Sequence, residues 1–366
     1  MVPILMFCLG AVLPSPISAV ERLLQAHGWT APARDRALDE AAAELAVRVA
    51  GPIDGPDPQG ASELLRFVLA EHGISDAHVY PFTVRYRASE GLERELPGLL
   101  GRLERRLPPT HYGLATHGLG STLTTTLLLV HRGAVLDAPL PREAEPGTLL
   151  PVSGALRRGY FKPRVLVAPP DGQRVRERPA WTPERRLDVT LYFDAGPGEY
   201  GVEIVADSQY GPVVLHNHRV FVGVPAPTLP VVRLSPGGPV VEGDPARAVY
   251  RLIDALRAER GLPTLEWSKA LAEAAQAHAA EMARRRTLAH GSPDSGVLTT
   301  RLRAHGIDAT DVAENLAEAT DPAAALQAFL DSPGHMRNLL LPRLTHIGVG
   351  VVGRYFAVAM AELPEE

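Results

Sequence analysis

Three short stretches late in the chain carry side chains suited to chemistry: Leu288-Ala289-His290, Ala313-Glu314-Asn315-Leu316, and Ser332-Pro333-Gly334-His335-Met336-Arg337-Asn338. Two imidazoles and one carboxylate could make an open zinc site with water in the fourth position. Such a water is a nucleophile activated by a Lewis acid. The spacings, 24 and 21 residues, are not local chelating spacings like that of an i, i+4 histidine pair, so the three are not joined by spacing alone. The plainer alternative is that they hydrogen-bond loops together with no metal. No G-x-S-x-G, H-E-x-x-H or P-loop pattern occurs. Gly348-Val-Gly350-Val-Val-Gly353 spells the dinucleotide fingerprint, but that motif needs a following helix at the pyrophosphate, and the 13 residues that remain read as a strand.

The elements around these stretches are legible. Asp244 caps a helix whose first turn holds Pro245, with Val249, Leu252, Ile253 and Leu256 on one face and Gly261 at its end. A second helix, about Ser268 to Arg286, places Leu271, Ala274, Ala275, His278 and Met282 together; His278 is expected to be a satisfied core histidine. A third helix closes at His305-Gly306, and a fourth starts at Asp321-Pro322. Ile347–Val352 and Tyr355–Glu362 then read as two strands joined at Gly353-Arg354, which makes this region α+β.

Upstream, the Pro/Gly-rich stretch 225–243 reads as a linker. Residues 134–224 hold short strands, Leu149–Leu156, Arg164–Ala168, Leu187–Phe193, Tyr200–Ala206 and Arg219–Val224, and predict a small immunoglobulin-like β-sandwich. The arginine pairs Arg105-Arg106, Arg157-Arg158 and Arg185-Arg186 read as solvated surface. An internal repeat accounts for residues 21–133. Leu38–Ala46 matches Leu271–Ala279 at an offset of 233, and three further landmarks follow in the same order, ending with Thr110-His111-Tyr112-Gly113 against Thr345-His346-Ile347-Gly348. In this copy Glu314 faces Pro81, His335 faces Leu99, and nothing answers His290. Residues 21–133 are therefore expected to be a duplicate that has lost the polar positions and kept the apolar ones.

Together with Leu262–Trp267, Ala277-His278-Ala279 and Ile347–Gly350, the three polar stretches make residues 244–363 closely resemble the bacterial SCP-like branch of the CAP superfamily, which groups cysteine-rich secretory proteins, antigen 5 and plant pathogenesis-related proteins. The resemblance implies an α-β-α sandwich with a surface cleft in a secreted or cell-surface protein. It also assembles the trio: His290, Glu314 and His335 would line that cleft and could hold a divalent metal such as zinc. A second glutamate of animal and plant members has no counterpart here; Phe329 replaces the tryptophan before it, and Asp331 or Ser332 falls near its place.

The fold expected is thus α+β and multidomain: an N-terminal degenerate CAP-like copy, a small middle β-sandwich and a C-terminal α-β-α sandwich of CAP type. Residues 1–19 form an apolar stretch ending in small residues, the pattern of a secretory signal, and are too short and proline-broken for a stable membrane span. Cys8, the only cysteine, lies in that stretch, so the mature protein would have no disulfide and no thiolate site. A net charge of −5 gives no electrostatic reason for a nucleic-acid partner. A secreted or cell-envelope binding protein with a protein, glycan or lipid ligand is expected. The alternatives are a metal-dependent, peptidase-like hydrolase acting on envelope material, with Glu314 as base or third ligand, and a lipid or sterol carrier.

Overall fold

A computed structural model describes residues 16–26, 28–29, 32–50, 58–87, 92, 107–172, 174–180, 186–230, 243–309 and 311–363. Residues 1–15 of the expected signal and 231–242 of the expected linker lie outside them. The chain divides into two compact units, one of residues 1–53, 80–103 and 108–129, the other of 54–79, 104–107 and 130–366.

The first unit contains α1 (Pro16–Ala26), β1 (Ala33–Arg34) and α2 (Arg36–Ala50); α3 (Pro58–Glu71) falls in the second unit. β2 (His78–Arg87), β3 (His111–Leu119) and β4 (Thr122–His131) complete a sheet of order β1-β3-β4-β2, in which β1 runs parallel to β3 with Ala33 opposite His111. Val20 and Leu24 of α1 share a core with Tyr112, Leu114, Leu127 and Leu129. α2 lies directly on β3, because a Cβ on Gly113 would stand 2.2 Å from the carbonyl carbon of Leu38.

In the second unit, β5 (Ala134–Leu136), β6 (Glu143–Ala144), β7 (Leu149–Leu156), β8 (Phe161–Ala168), β9 (Arg176–Pro179), β10 (Arg186–Tyr192), β11 (Gly198–Ser208) and β12 (Gly211–Val222) form two sheets, of order β10-β7-β5 and β6-β12-β11-β8-β9. Alternation decides which side chains meet. Val152, Leu187 and Leu191 of the smaller sheet pack on Val165, Val202, Ile204, Val220 and Val222 of the larger. The strands expected from sequence are there; β5, β6 and β9, two to four residues each, carry too few alternating positions to be legible.

α4 (Pro245–Glu259), β13 (Glu266–Trp267), α5 (Lys269–Arg285), α6 (Leu298–Ala304), β14 (Val312–Glu318), α7 (Pro322–Leu330), α8 (Pro333–Leu339), β15 (His346–Val352) and β16 (Tyr355–Ala361) follow in the same unit. Asp244 caps α4 as its sequence position predicts, and Ser268 caps α5. The sheet, of order β13-β15-β16-β14, lies between two helical layers. Along β16 the two faces differ in size. Phe356, Val358 and Met360 meet Val249, Ile253, Leu326 and Phe329 of α4 and α7, whereas Ala357, Ala359 and Ala361 meet Leu271, Ala275 and Met282 of α5.

The small face lets α5 approach the sheet closely. Cβ atoms on Gly348 and Gly350 of β15 would stand 2.1 Å from the Ala272 nitrogen and 2.2 Å from the Gln276 nitrogen. The glycines of the apparent dinucleotide fingerprint thus serve helix–sheet contact and lie in a strand, not a phosphate loop. Besides the two-residue β13, two elements of this module escape the sequence reading, β14 and α8. Both are seven residues long, and β14 is too uniformly buried to alternate.

Candidate functional site

Each member of the trio is positioned by a different device. His290 lies in the loop after α5, which turns at Arg286 in the left-handed region (φ 50°). His278, buried on α5, holds that loop through Nε2 and the Ala289 carbonyl oxygen, 3.0 Å apart. Glu314 is the third residue of β14. His335 is the third residue of α8, whose Ser332 cap accepts from the His335 backbone N–H at 3.2 Å. Two asparagines tie α8 to β14: Asn315 donates to the His335 carbonyl at 3.0 Å, and Asn338 donates to the Glu314 carbonyl at 3.2 Å and to Asn315 Oδ1 at 3.0 Å.

The structure brings the three together. His290 Nδ1 lies 2.9 Å from Glu314 Oε2, and the His290 and His335 ring centroids are 6.4 Å apart. Phe329 meets the His335 ring edge-on at 5.4 Å. A fourth participant, Arg301 of α6, was not anticipated. Its guanidinium donates to Glu314 Oε1 at 2.5 Å and to the carbonyls of His290 (3.0 Å) and Gly296 (2.8 Å). Burial pushes the Glu314 carboxyl up, but the His290 hydrogen bond and the Arg301 charge outweigh it and hold the carboxyl below its usual 4.5. Burial, reinforced by His290, depresses the His335 imidazole to about 3, so that ring is neutral.

Both oxygens of Glu314 are engaged, one by His290 and one by Arg301. Among the described residues, no group of three His, Cys, Asp or Glu side chains is placed to hold a metal ion. The donor set therefore does not fit a three-ligand centre. Among the described residues, the buried His335 Nδ1 makes no hydrogen bond, while Glu314 orients His290 from behind as carboxylates do for metal-bound imidazoles.

The missing second acidic residue has an unexpected answer. Asp331 does not line the cavity shared by His290, Glu314 and His335: its carboxylate receives Arg219 at 2.8 Å, Gln327 at 3.0 Å and also Arg66. Ser332 donates at 2.7 Å to Glu203 of β11, which also accepts the Gly334 N–H at 2.8 Å. Glu203 is 1% exposed and lines a cavity of about 560 Å³ together with His290, Glu314 and His335. A carboxylate does reach the site, from the sandwich. No sequence signal marked it, because Glu203 lies 111 residues before Glu314 on a strand of another layer.

Burial raises the Glu203 carboxyl to about 7, against the Ser332 and Gly334 hydrogen bonds and the Arg164 charge, which lower it. A carboxyl raised in the folded state binds its proton more tightly than the unfolded chain does. Its contribution is complete below the usual 4.5 and is lost as pH rises through about 7. Between pH 5 and 8 the protein should lose up to about 3 kcal/mol from this group. In Glu203→Gln that loss should vanish, giving a flatter curve of urea midpoint against pH; identical slopes in the two proteins would refute the assignment.

The comparisons with known proteins bear on this region. Residues 250–356 match the model of the Cysteine-rich secretory protein family, CAP. The chain is 34% identical over 111 residues to YlbC of Bacillus subtilis, named an uncharacterized membrane protein, covering 30% of this chain and 32% of that protein. It is 33% identical over 107 residues to YkwD of the same organism, covering 29% and 42%. The matches thus span less than half the length of these relatives. Among solved structures, similarity extends to an extracellular protein containing an SCP domain from Bacillus anthracis, at 22% identity and a TM-score of 0.32, covering 48% of this chain and 64% of that one. A cysteine-rich secretory protein from Staphylococcus aureus is similar at 14% identity and a TM-score of 0.30, covering 81% and 90%.

Proposed function

We propose that this chain, which carries a domain of the cysteine-rich secretory protein family over residues 250–356, is an extracytoplasmic protein that binds a small molecule in its CAP cleft. The observation that carries this reading is the cover on the cleft. Gly291 donates to the Tyr210 carbonyl at 2.7 Å, a Cβ on Gly211 would stand 3.3 Å from His290 Cβ, and Glu203 is fastened to the first turn of α8. A polymeric substrate would have to displace the sandwich, whereas a small molecule fits the 550–600 Å³ spaces left beside it. The described groups are also poorly arranged for covalent attack, since the Ser332 hydroxyl donates to Glu203 and not to an imidazole. Export rests on the apolar first 19 residues and on the family's name; no helix among the described residues is long and apolar enough to cross a membrane.

A small-molecule thermal-shift screen of the wild type beside His290→Ala/His335→Ala tests the reading. Ligands that raise the wild-type midpoint and lose this effect in the variant are expected. Peptide or cell-wall hydrolysis present in the wild type and absent in the variant would replace binding by catalysis.

The unpartnered His335 Nδ1 favours a second reading, in which His290 and His335 hold a divalent cation and Glu314 orients His290. A zinc ion there would supply Lewis-acid chemistry. Elemental mass spectrometry after mild dialysis should then find about one zinc per chain, lost in the same double variant; no metal in either protein would exclude it.

Residues 21–133 are, on this proposal, a duplicate of the CAP module without its polar positions. Several observations support it. The order β1-β3-β4-β2 repeats β13-β15-β16-β14, and the parallel pair Ala33–His111 repeats Glu266–His346. Thr110 Oγ1 and His111 Nδ1 are 2.9 Å apart where Thr345 Oγ1 and His346 Nδ1 are 2.8 Å apart. Leu38 abuts Gly113 as Leu271 abuts Gly348.

A further inference from the structure

The sandwich side of the covered cleft differs in character from the polar side. A cavity of about 550 Å³ begins at His290 and His335 and is walled by Phe161, Val213, Val214, Leu288 and Leu316. No aspartate or glutamate lines it among the described residues. Among the described residues, the only fully charged groups on its wall are Arg157 and Arg158, in the turn between β7 and β8. Both are exposed, and neither has a carboxylate partner among the described residues. Arg164, Arg176 and Arg186 of the same sandwich are each paired with an aspartate.

Two adjacent guanidiniums without counter-charge repel each other, and an anion placed between them relieves that repulsion through charge-assisted hydrogen bonds. An apolar wall favours the removal of hydrocarbon from water. The wall carries no carboxylate that would favour an organic cation, and a neutral ligand would leave the arginines unused. Within the cavity, His335 adds a ring nitrogen, Nδ1, that no described protein group satisfies.

Resting on the reading of the covered cleft as a small-molecule site, we propose that its ligand is a small apolar acid, with an aromatic or aliphatic body in the cavity and one anionic group at Arg157 and Arg158. The sequence offers these arginines only as solvated surface; what gives them a task is their place on the wall of a cavity with no acidic side chain.

Fluorescence titration of the full chain with two probes of one body tests this. 1-Anilinonaphthalene-8-sulfonate carries a single sulfonate, and N-phenyl-1-naphthylamine has the same rings without it. The sulfonate probe should bind at one site per chain, roughly tenfold more tightly than the neutral probe. Arg157→Gln/Arg158→Gln should weaken the sulfonate probe by about tenfold and leave the neutral probe unchanged. Val214→Phe, which fills the cavity wall, should abolish both, with thermal unfolding confirming that each variant is folded. Equal binding of the two probes, or a sulfonate affinity indifferent to the arginines, overturns the acid assignment and leaves the binding reading intact. Failure of both probes to bind, or binding indifferent to Val214→Phe, overturns both the acid assignment and the use of this cavity.

Discussion

Arg301→Ala should destabilise the second unit by about 3–5 kcal/mol, the cost of leaving a buried carboxylate without its cation. The Glu314 and Arg301 side chains are each 4% exposed and 2.5 Å apart. Removing the arginine leaves Glu314 with only His290 to support its charge. It also cuts the two bonds that hold the carbonyls of His290 and Gly296, so the loop carrying His290 loosens with it.

The pH dependence gives the sign. In the wild type the Glu314 carboxyl is held below 4.5, so its contribution is present above that value and disappears as pH falls through the depressed one. Without Arg301, burial dominates and raises the carboxyl, so the variant should regain stability as pH is lowered towards 5. Urea unfolding of wild type, Arg301→Ala and Arg301→Ala/Glu314→Gln at pH 5 and 7.5 reads this directly. The added Glu314→Gln should recover much of the loss at pH 7.5. A cost below about 1 kcal/mol for Arg301→Ala would put the pair in the class of exposed ion pairs and remove it from the site's architecture.

Gly348→Ala should cost about 3 kcal/mol or more, at the severe end of overpacking. The new methyl would stand 2.1 Å from the Ala272 nitrogen and 2.2 Å from the Leu271 carbonyl carbon, and both are backbone atoms that no rotamer change can move. α5 would have to lift from the sheet, and Ala357, Ala359 and Ala361 would lose contact with Leu271 and Met282. Gly113→Ala provides the parallel case, with 2.2 Å to the Leu38 carbonyl carbon. If residues 21–133 repeat the CAP architecture, the two substitutions should have comparable effects on thermal unfolding. A tolerated Gly113→Ala beside a damaging Gly348→Ala would argue against close helix–strand packing in the copy.

Both predictions concern contacts made at long range, and there the sequence runs out. Caps, periodic apolar faces and turn glycines are local, so α4, α5, the start of α7 and the β15–β16 hairpin were legible from their own residues. The strand carrying Glu314 and the short helix carrying His335 were not: both are seven residues long, and no glycine turn marks them as Gly353-Arg354 marks the equally short β15 and β16. His290, Glu314 and His335 could be named together through the family resemblance alone, their spacings giving no reason to join them.

What the sequence by itself determined was the identity of the C-terminal module and the three polar residues on it. The tertiary structure decided what those residues can do. Arg301 takes one Glu314 oxygen, His290 takes the other, and Glu203 arrives from a strand 111 residues before Glu314. The physical reason is that a buried charge must find its partner wherever the packed layers place one, and that partner's distance along the chain leaves no local mark.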